Sequence, residues 1–564
     1  MADFGALPSR EDCPALIVGA GPTGLTLALA LRRLGVACRV VDAGEGPRAE
    51  PRAAVVWPRE AELLAALGLG PRLLEASRPL GATAVYRGRR RLGELPFEGV
   101  ASAFARPLVI EQHVLQGLLE AELQDAGGQV EWRTRLTAFT QTDRNVYVEL
   151  APADGAADTV KASWLVACDG ARSGVRKRLG VAFVGRTVPN LEVVQVKASL
   201  DWPYEPDRGA LFLAPGRALG AFPMPDGRRR FYCFKTVEEP DRTSAPSLQE
   251  MQALIGGLMG RPPVELSDVD WLSRARFQER IAERLRAGRV LLAGDAAHVW
   301  PAVGGHGMAV AILGACNLAW RLAAVIKGQG PVQLLDAYGD EQRAQAATMT
   351  RKMRLDLLER PLPGPVLAVL SAVLPWALKS SLVRRAIERG LLSDLNLGHR
   401  GGPMSVSRVG GPVRAGDRLP DAAVTIEGRE RRLHELLSVT HWTLIAPPRA
   451  DLERIAPMLA GRAPIRMLQA APAGRQAAAD LGGLRAMLLV RPDGYVGLAA
   501  KPNDLDALAA YLSAWFPQGA DYSRENRCSW EVMNSSRAGT PASFWAMPRL
   551  IAGTMSSTRE TRSP

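Results

Sequence analysis

A chain of 564 residues, 47% hydrophobic with a mean hydropathy of −0.03, has room for roughly three or four units with ordinary cores. Its net charge of +12 does not read as a nucleic-acid footprint, because the arginines are scattered (as in 32–35 and 87–91) and few alternate with aromatics. The six cysteines (Cys13, Cys38, Cys168, Cys233, Cys316 and Cys528) show no CxxC spacing and no nearby His cluster, which argues against a zinc site or a disulfide framework and for a reducing cytoplasm.

The first fourteen residues are polar and lack the apolar run of a signal peptide. Residues 15–42 read as strand, glycine-rich turn, helix and strand: ALIVG is a short buried run, LTLALALRRLG is helical and stops at Gly35, and CRVVD follows. Helical patterns at 58–67 and 113–126 precede alternating strand patterns across 129–168. From Phe183 to Thr236 strand signals dominate, broken by turns such as PDG at 225–227. This predicts a mostly antiparallel sheet inserted between two nucleotide-binding segments. RVLLAGD at 289–295 returns to the first unit, and a helix is expected over Met308–Lys327. The apolar stretch Pro363–Leu378 contains Pro365 and Pro375 and reads as a helix pair, too short and broken to span a membrane. The Gly/Pro/Arg/Ser-rich segment 397–416 marks a boundary, 417–517 reads as a small α/β unit, and the Ser/Thr/Arg-rich tail from 518 is expected to be flexible. The resulting division is a nucleotide-binding unit (1–182 and 276–396), a substrate sheet (183–275), a linker (397–416), a C-terminal unit (417–517) and a tail (518–564).

Three motifs carry chemistry. Gly19-Ala20-Gly21-Pro22-Thr23-Gly24 follows a strand and opens a helix: Gly19 makes the tight turn, Gly21 lets the backbone approach a pyrophosphate, and Gly24 packs helix on strand. The helix N-terminus offers free N–H groups to phosphates, and Asp42, ending the next strand, can accept from a ribose. Asp169-Gly170 with Arg172 follows the strand WLVAC, and Gly294-Asp295 follows RVLLA; each places a carboxylate where parallel strands end. Either aspartate alone could be a helix N-cap.

Taken in order, the three motifs resemble the 4-hydroxybenzoate hydroxylase-like FAD monooxygenases over about residues 12–350. The resemblance implies an α/β fold, with a Rossmann-like FAD-binding domain and an inserted antiparallel substrate sheet. It implies that Gly19, Gly21, Pro22, Thr23, Gly24 and Asp42 hold the ADP part of FAD. Asp295, with Gly294, would contact the ribityl and pyrophosphate region, and Asp169 with Arg172 would lie between flavin and nicotinamide. Arg52, in Pro51-Arg52-Ala53, resembles an arginine that reaches the flavin, and Gln112 resembles a glutamine that opens a helix beside it. The segments 415–421, 432–437 and 491–495 look like the thioredoxin-like domain of polyketide-tailoring and phenol hydroxylases. Without CxxC, its expected role is packing or homodimer support.

The flavin loop departs from the family's pattern. Within Pro301, Gly304, Gly305, His306, Gly307 and Met308 the glycines remain, so backbone donors can still approach the flavin ring. Ala302 replaces a proline, His306 a glutamine, Ala309 an asparagine and Gly314 an aspartate. His306 reads as a contact to flavin or substrate, with an exposed loop histidine nearly as well supported. The implied reaction uses transient NADPH or NADH to reduce FAD, adds O₂ at flavin C4a, and transfers one oxygen to an aromatic, polyketide-type substrate. Baeyer–Villiger or other flavin redox chemistry, or a non-catalytic FAD-binding subunit, stays open because of the altered loop. The substrate pocket is expected against the sheet, with Phe212, Phe222, Met224, Phe231 and Phe234 as candidate lining.

Overall fold

The structure is a computed structural model that describes residues 13–47, 53–97, 101–238, 244–261, 263–300, 305–355, 361–380, 383 and 394–516. Arg52, Pro301, Ala302, Gly304 and the tail expected to be flexible lie outside the described residues.

The first sheet is built on adjacent parallel strands in the order Val290–Leu292, Asp158–Ala167, Cys13–Val18, Cys38–Val41 and Val130–Glu131. The apolar runs VLL, WLVA and ALIV are buried on both faces, as a parallel sheet between helices requires. Pro22–Arg33 packs on it together with Gln112–Asp125 and the long helix His306–Ile326. That last helix is apolar and long enough to cross a membrane, yet 83% of its apolar window is buried inside the protein, so it is a core helix. It starts two residues before the expected Met308.

The second sheet has eight strands in the order His298–Val299, Ser267–Ala282, Phe183–Ser199, Arg229–Thr236, Arg217–Pro223, Gly209–Ala214, Ala82–Arg87 and Arg90–Pro96. All neighbours are antiparallel except Gly209–Ala214 with Ala82–Arg87. The sheet therefore draws strands from outside 183–275. Two come from before it, and Ser267–Ala282 runs unbroken across position 276. One face packs Phe212, Phe231 and Cys233 against helix Leu248–Leu258. The other packs Leu213 and Phe234 against Gly364–Ala377. That segment is one helix with Pro375 in its last turn, where the sequence suggested a pair.

In the C-terminal region a five-stranded sheet runs Val406–Ser407, Val496–Ala500, Met487–Val490, Trp442–Ala446 and Ile465–Gln469. The segment expected to be a linker is folded: Val406 and Ser407 pair in parallel with Leu498 and Ala499, and Met404 is buried. Its glycines and prolines shape turns that lie against the sheet. A buried ionic cluster joins this region to the first. Arg491 Nη1 donates to Glu341 Oε1 at 2.9 Å, Arg491 Nε to Asp493 Oδ1 at 2.9 Å, and Arg321 Nη2 to Glu341 Oε2 at 2.7 Å. Asn317 Nδ2 and Trp320 Nε1 donate to Asp493 Oδ2 at 3.1 and 3.2 Å. A second tie has Arg418 on Glu62, with Arg59 bridging Glu62 and the Asp493 carbonyl. The five described cysteines are free and buried. Burial pushes Cys13 up to about 11 and Cys38, Cys233 and Cys316 up to about 12.

Candidate active site

Four neighbouring parallel strands end side by side, and each delivers one motif to the same edge: Gly294-Asp295, Asp169, the glycine turn and Asp42. This edge, beyond the carboxyl ends of the strands, is where open α/β sheets bind ligands.

The glycines divide by role. A Cβ on Gly19, whose φ is +107°, would lie 2.3 Å from the Cys168 carbonyl oxygen, and one on Gly24 would lie 1.9 Å from that of Gly19. These two glycines let the turn nest against the neighbouring strand and the helix nest against the turn. A Cβ on Gly21 would meet nothing within 4 Å. The open side of the turn is therefore at Gly21, beside the unpaired first-turn amides of Pro22–Arg33, which carries no acidic residue in that turn. Gly294 (φ +58°) packs on this first turn, since a Cβ there would lie 2.4 Å from Thr23 Oγ1. The two glycine motifs, 270 residues apart in sequence, thus touch directly.

The carboxylates differ in setting. Asp42 accepts from Ala20 N and Gly44 N, both at 2.7 Å, so its position is fixed while second lone pairs remain for hydroxyl donors. Asp169 Oδ2 accepts from Gly174 N at 2.8 Å and Val175 N at 3.2 Å; Oδ1 is buried without a hydrogen-bond partner among the described residues. Asp295 is exposed at this edge, as is Arg172. Gln112 is the first residue of its helix, and its Oε1 accepts from Ala53 N at 3.2 Å, which ties the helix to the segment after Arg52. Gln116, one turn on, donates to the Ala20 carbonyl at 3.3 Å.

The candidate flavin loop enters the helix His306–Ile326 through Gly305 in a left-handed conformation (φ +65°). Gly307 faces open space, and Met308 is half-buried. His306 is not an exposed loop residue. It is buried, stacks on Trp57 with ring centroids 4.8 Å apart, and shares its Nδ1 with Asp394 Oδ2 at 2.8 Å. Asp394 Oδ1 accepts from Lys352 Nζ at 3.1 Å. Burial opposes the ionisation of Asp394, but His306 and Lys352 hold it down at about 2. Burial pushes neighbouring Glu60 well above the usual carboxylate range. Sequence reasoning missed Trp57, Glu60, Lys352 and Asp394, which carry no motif and come from three separate segments.

The other departures also have structural partners. Gly314 lies under the end of the Gln342 side chain, whose Oε1 would be 2.6 Å from a Cβ there, so a larger residue would have to displace that amide. Ala309 joins Val55, Trp57, Leu80, Phe97, Val109 and Met224 in an apolar cluster, with Phe222 and Tyr232 against it. Of the five candidate pocket residues, only Phe222 and Met224 belong to the cluster around Ala309. Phe212 and Phe231 lie behind the sheet and Phe234 packs on Gly364–Ala377, because side chains alternate faces along each strand. A surface cavity of about 600 Å³ beside Arg39, Glu131 and Asp158 includes none of the motif glycines or aspartates.

The protein family described as FAD binding domain matches residues 12–353, and the one described as aromatic-ring hydroxylase, C-terminal, matches residues 413–519. The chain is 32% identical to a flavin-dependent monooxygenase of Mycobacteroides abscessus, over 86% of this chain and 96% of that protein. It is 31% identical to a 12-dehydrotetracycline 5-monooxygenase/anhydrotetracycline 6-monooxygenase of Streptomyces rimosus, over 89% and 98%. Among solved structures it resembles the OxyS anhydrotetracycline hydroxylase of Streptomyces rimosus (TM-score 0.71, 28% identity, 90% of this chain and 99% of that one). An aklavinone-11 hydroxylase complex with FAD and aklavinone is as similar (TM-score 0.71, 28% identity, the same coverage). The chain therefore belongs to the FAD binding domain family of flavin monooxygenases, with the aromatic-ring hydroxylase C-terminal domain.

Proposed function

We propose that the protein is an FAD-dependent monooxygenase, driven by NADPH or NADH, that inserts one oxygen atom of O₂ into a fused-ring aromatic substrate of polyketide type. The observation that carries this is the meeting of Gly21, Thr23, Asp42, Asp169, Gly294 and Asp295 at one sheet edge.

The residues present fit FAD. The bare Gly21 backbone and the amides of Pro22–Arg33 receive the pyrophosphate, Asp42 accepts from the adenosine ribose, and Asp295 lies along the ribityl chain. Asp169 Oδ1, buried without a hydrogen-bond partner among the described residues, is a spare acceptor on a residue at the same edge. Gln112, Gly305, His306, Gly307 and Met308 would border the ring end; Arg52, Pro301 and Gly304, assigned there by resemblance, lie outside the described residues. Bound flavin supplies electron transfer from the nicotinamide and activation of O₂. The chain holds the ring with backbone donors, excludes water with Trp57, Phe97, Phe222 and Met224, and presents the substrate to the flavin. A large apolar wall suits a fused-ring substrate, the class named for the tetracycline and aklavinone relatives.

Residues 417–517 are proposed to be a thioredoxin-like unit. The strand order 496–500, 487–490, 442–446, 465–469, with only the last pair parallel, and a helix closing the chain support that reading. With no CxxC, its role is packing on the flavin-binding unit.

The test is anaerobic reduction of the purified holoprotein by NADPH and NADH, with anhydrotetracycline and related fused-ring phenols, followed by aerobic turnover and product NMR. Faster flavin reduction with one compound and a newly hydroxylated ring are expected, and a lactone product would refute ring hydroxylation. Asp295→Ala is expected to lower FAD content, and unchanged flavin would refute its role.

A further inference from the structure

Arg229, the first residue of the strand Arg229–Thr236, is a buried cation without an ion-paired carboxylate among the described residues. Main-chain carbonyls satisfy its guanidinium instead: Nη1 donates to that of Arg208 at 3.2 Å, and Nη2 to those of Pro206 and Glu205 at 2.8 and 3.4 Å. These acceptors are neutral, so the charge is hydrogen-bonded without being balanced. The guanidinium lies over Trp202, 3.9 Å from the ring centroid. Beside it stands Arg78, half-buried, whose Nη2 donates to Asp207 Oδ1 at 2.6 Å. One carboxylate, largely exposed, thus serves two guanidiniums. Burial and then Arg78 lower Arg229 to about 10, with Asp207 opposing, so it stays protonated at neutral pH.

Both arginines line a cavity of about 390 Å³, within the roughly 300–1,000 Å³ of small-molecule sites. Trp202, Tyr204, Leu200 and Pro223 give it apolar walls. Trp202 and Tyr204 pack with Phe212 and Phe231 on the side of the second sheet that carries helix Leu248–Leu258, away from Phe222 and Tyr232. None of the motif glycines or aspartates borders this cavity. Burial raises the Tyr204 hydroxyl while Arg261 and Arg89 act to lower it, so further positive charge reaches the same wall. We infer that this cavity is a second binding site, which takes a small aromatic carboxylate. Two guanidiniums against one carboxylate leave one charge to balance, which suits a monoanion. A guanidinium has five N–H donors, and Arg229 spends only part of them on carbonyls, so donors remain for the ligand's oxygens. The ring of the ligand lies against Trp202 and Tyr204. The site does not depend on what is oxidised at the flavin edge.

The test is calorimetric titration of the holoprotein with 2-naphthoate, its neutral counterpart 2-naphthamide, and inorganic phosphate. The wild type is expected to bind 2-naphthoate, and the amide and phosphate each at least about tenfold more weakly. Arg78→Met, at the half-buried rim, and Arg229→Met should each weaken 2-naphthoate about tenfold or more and leave FAD content unchanged. Arg229→Lys keeps the charge and loses the planar fork, so it should lose part of the affinity, and it replaces Arg229→Met if that variant fails to fold. A wild-type protein that binds no 2-naphthoate would overturn the inference. Equal affinity for the amide would do so by removing the role of charge, and equal affinity for phosphate by removing the role of the ring. Undiminished binding in the arginine variants would also overturn it, since the ligand would then sit elsewhere, as at the flavin edge.

Discussion

The C-terminal region is held to the flavin-binding unit by charges, and Arg491→Met tests how much that matters. Methionine keeps the unbranched stem and removes the guanidinium. In the wild type two arginines, Arg321 and Arg491, face two carboxylates, Glu341 and Asp493, all fully buried. His399 adds no charge at neutral pH, since burial lowers it to about 4. Burial opposes ionisation of Glu341, but Arg321 and then Arg491 hold its carboxyl far below the usual range. The substitution leaves two buried carboxylates with one arginine. Asp493 then keeps only neutral donors, Asn317 and Trp320, while Glu341 keeps Arg321. Breaking a buried pair in this way costs about 3–5 kcal/mol, a large part of the roughly 5–15 kcal/mol that stabilises a domain. Urea unfolding followed by tryptophan fluorescence includes the interface pair Trp320 and Trp442, whose rings meet edge to face at 5.2 Å, and their share is isolated by comparison with Trp442→Phe. Flavin release reads the first unit. The tryptophan transition is expected to fall to lower urea, ahead of flavin release. The Arg491→Met/Glu341→Gln double variant should lose less than the two singles summed. A loss below about 1 kcal/mol in Arg491→Met would refute the reading of this cluster as a dock.

Gly21→Val and Gly24→Ala should separate binding from folding. A side chain on Gly21 enters open space, so the apoprotein should keep its melting temperature and lose flavin. A methyl on Gly24 collides with the Gly19 carbonyl, so the fold itself should weaken by about 1–3 kcal/mol, read by thermal unfolding with and without added FAD. Acid should destabilise the protein early. Burial lowers His298 and His399 to about 4, so between pH 6.5 and 4 the unfolded chain binds protons that the folded chain refuses, and stability falls as pH falls. From pH 7 to pH 5 the two together should cost about 4 kcal/mol, measured by urea unfolding at each pH. Glu341 and Asp493, whose folded values are depressed, keep their contribution over that window and lose it only at lower pH.

What the sequence made legible was local. The glycine turn, its flanking strands and the aspartates at strand ends are read from a few contiguous residues each, because tight turns and buried parallel strands tolerate few alternatives. Those segments fall at the expected places. Harder to read was what depends on pairing between distant segments. Ala82–Arg87 and Arg90–Pro96 lack a clear alternation, and nothing local says that they extend the second sheet. The glycines and prolines of 397–416 suggested a linker, yet the segment is pinned by strand pairing and by burial of Met404. His306 was ambiguous for the same reason: its meaning lies in Asp394, 88 residues away. Face assignment in the sheet also failed locally, since Phe231 and Tyr232 are neighbours in sequence on opposite sides of it.

The thiols carry one more consequence. Oxygen that meets a reduced flavin and escapes before transfer emerges as hydrogen peroxide, so a protein of this kind works in a stream of its own oxidant. Peroxide attacks thiolates that it can reach. The five described cysteines offer neither charge nor access. Cys168 sits beside the Gly19 turn itself, yet burial holds it protonated, as it does the others. Packing alone spares the sulfur nearest the cofactor edge.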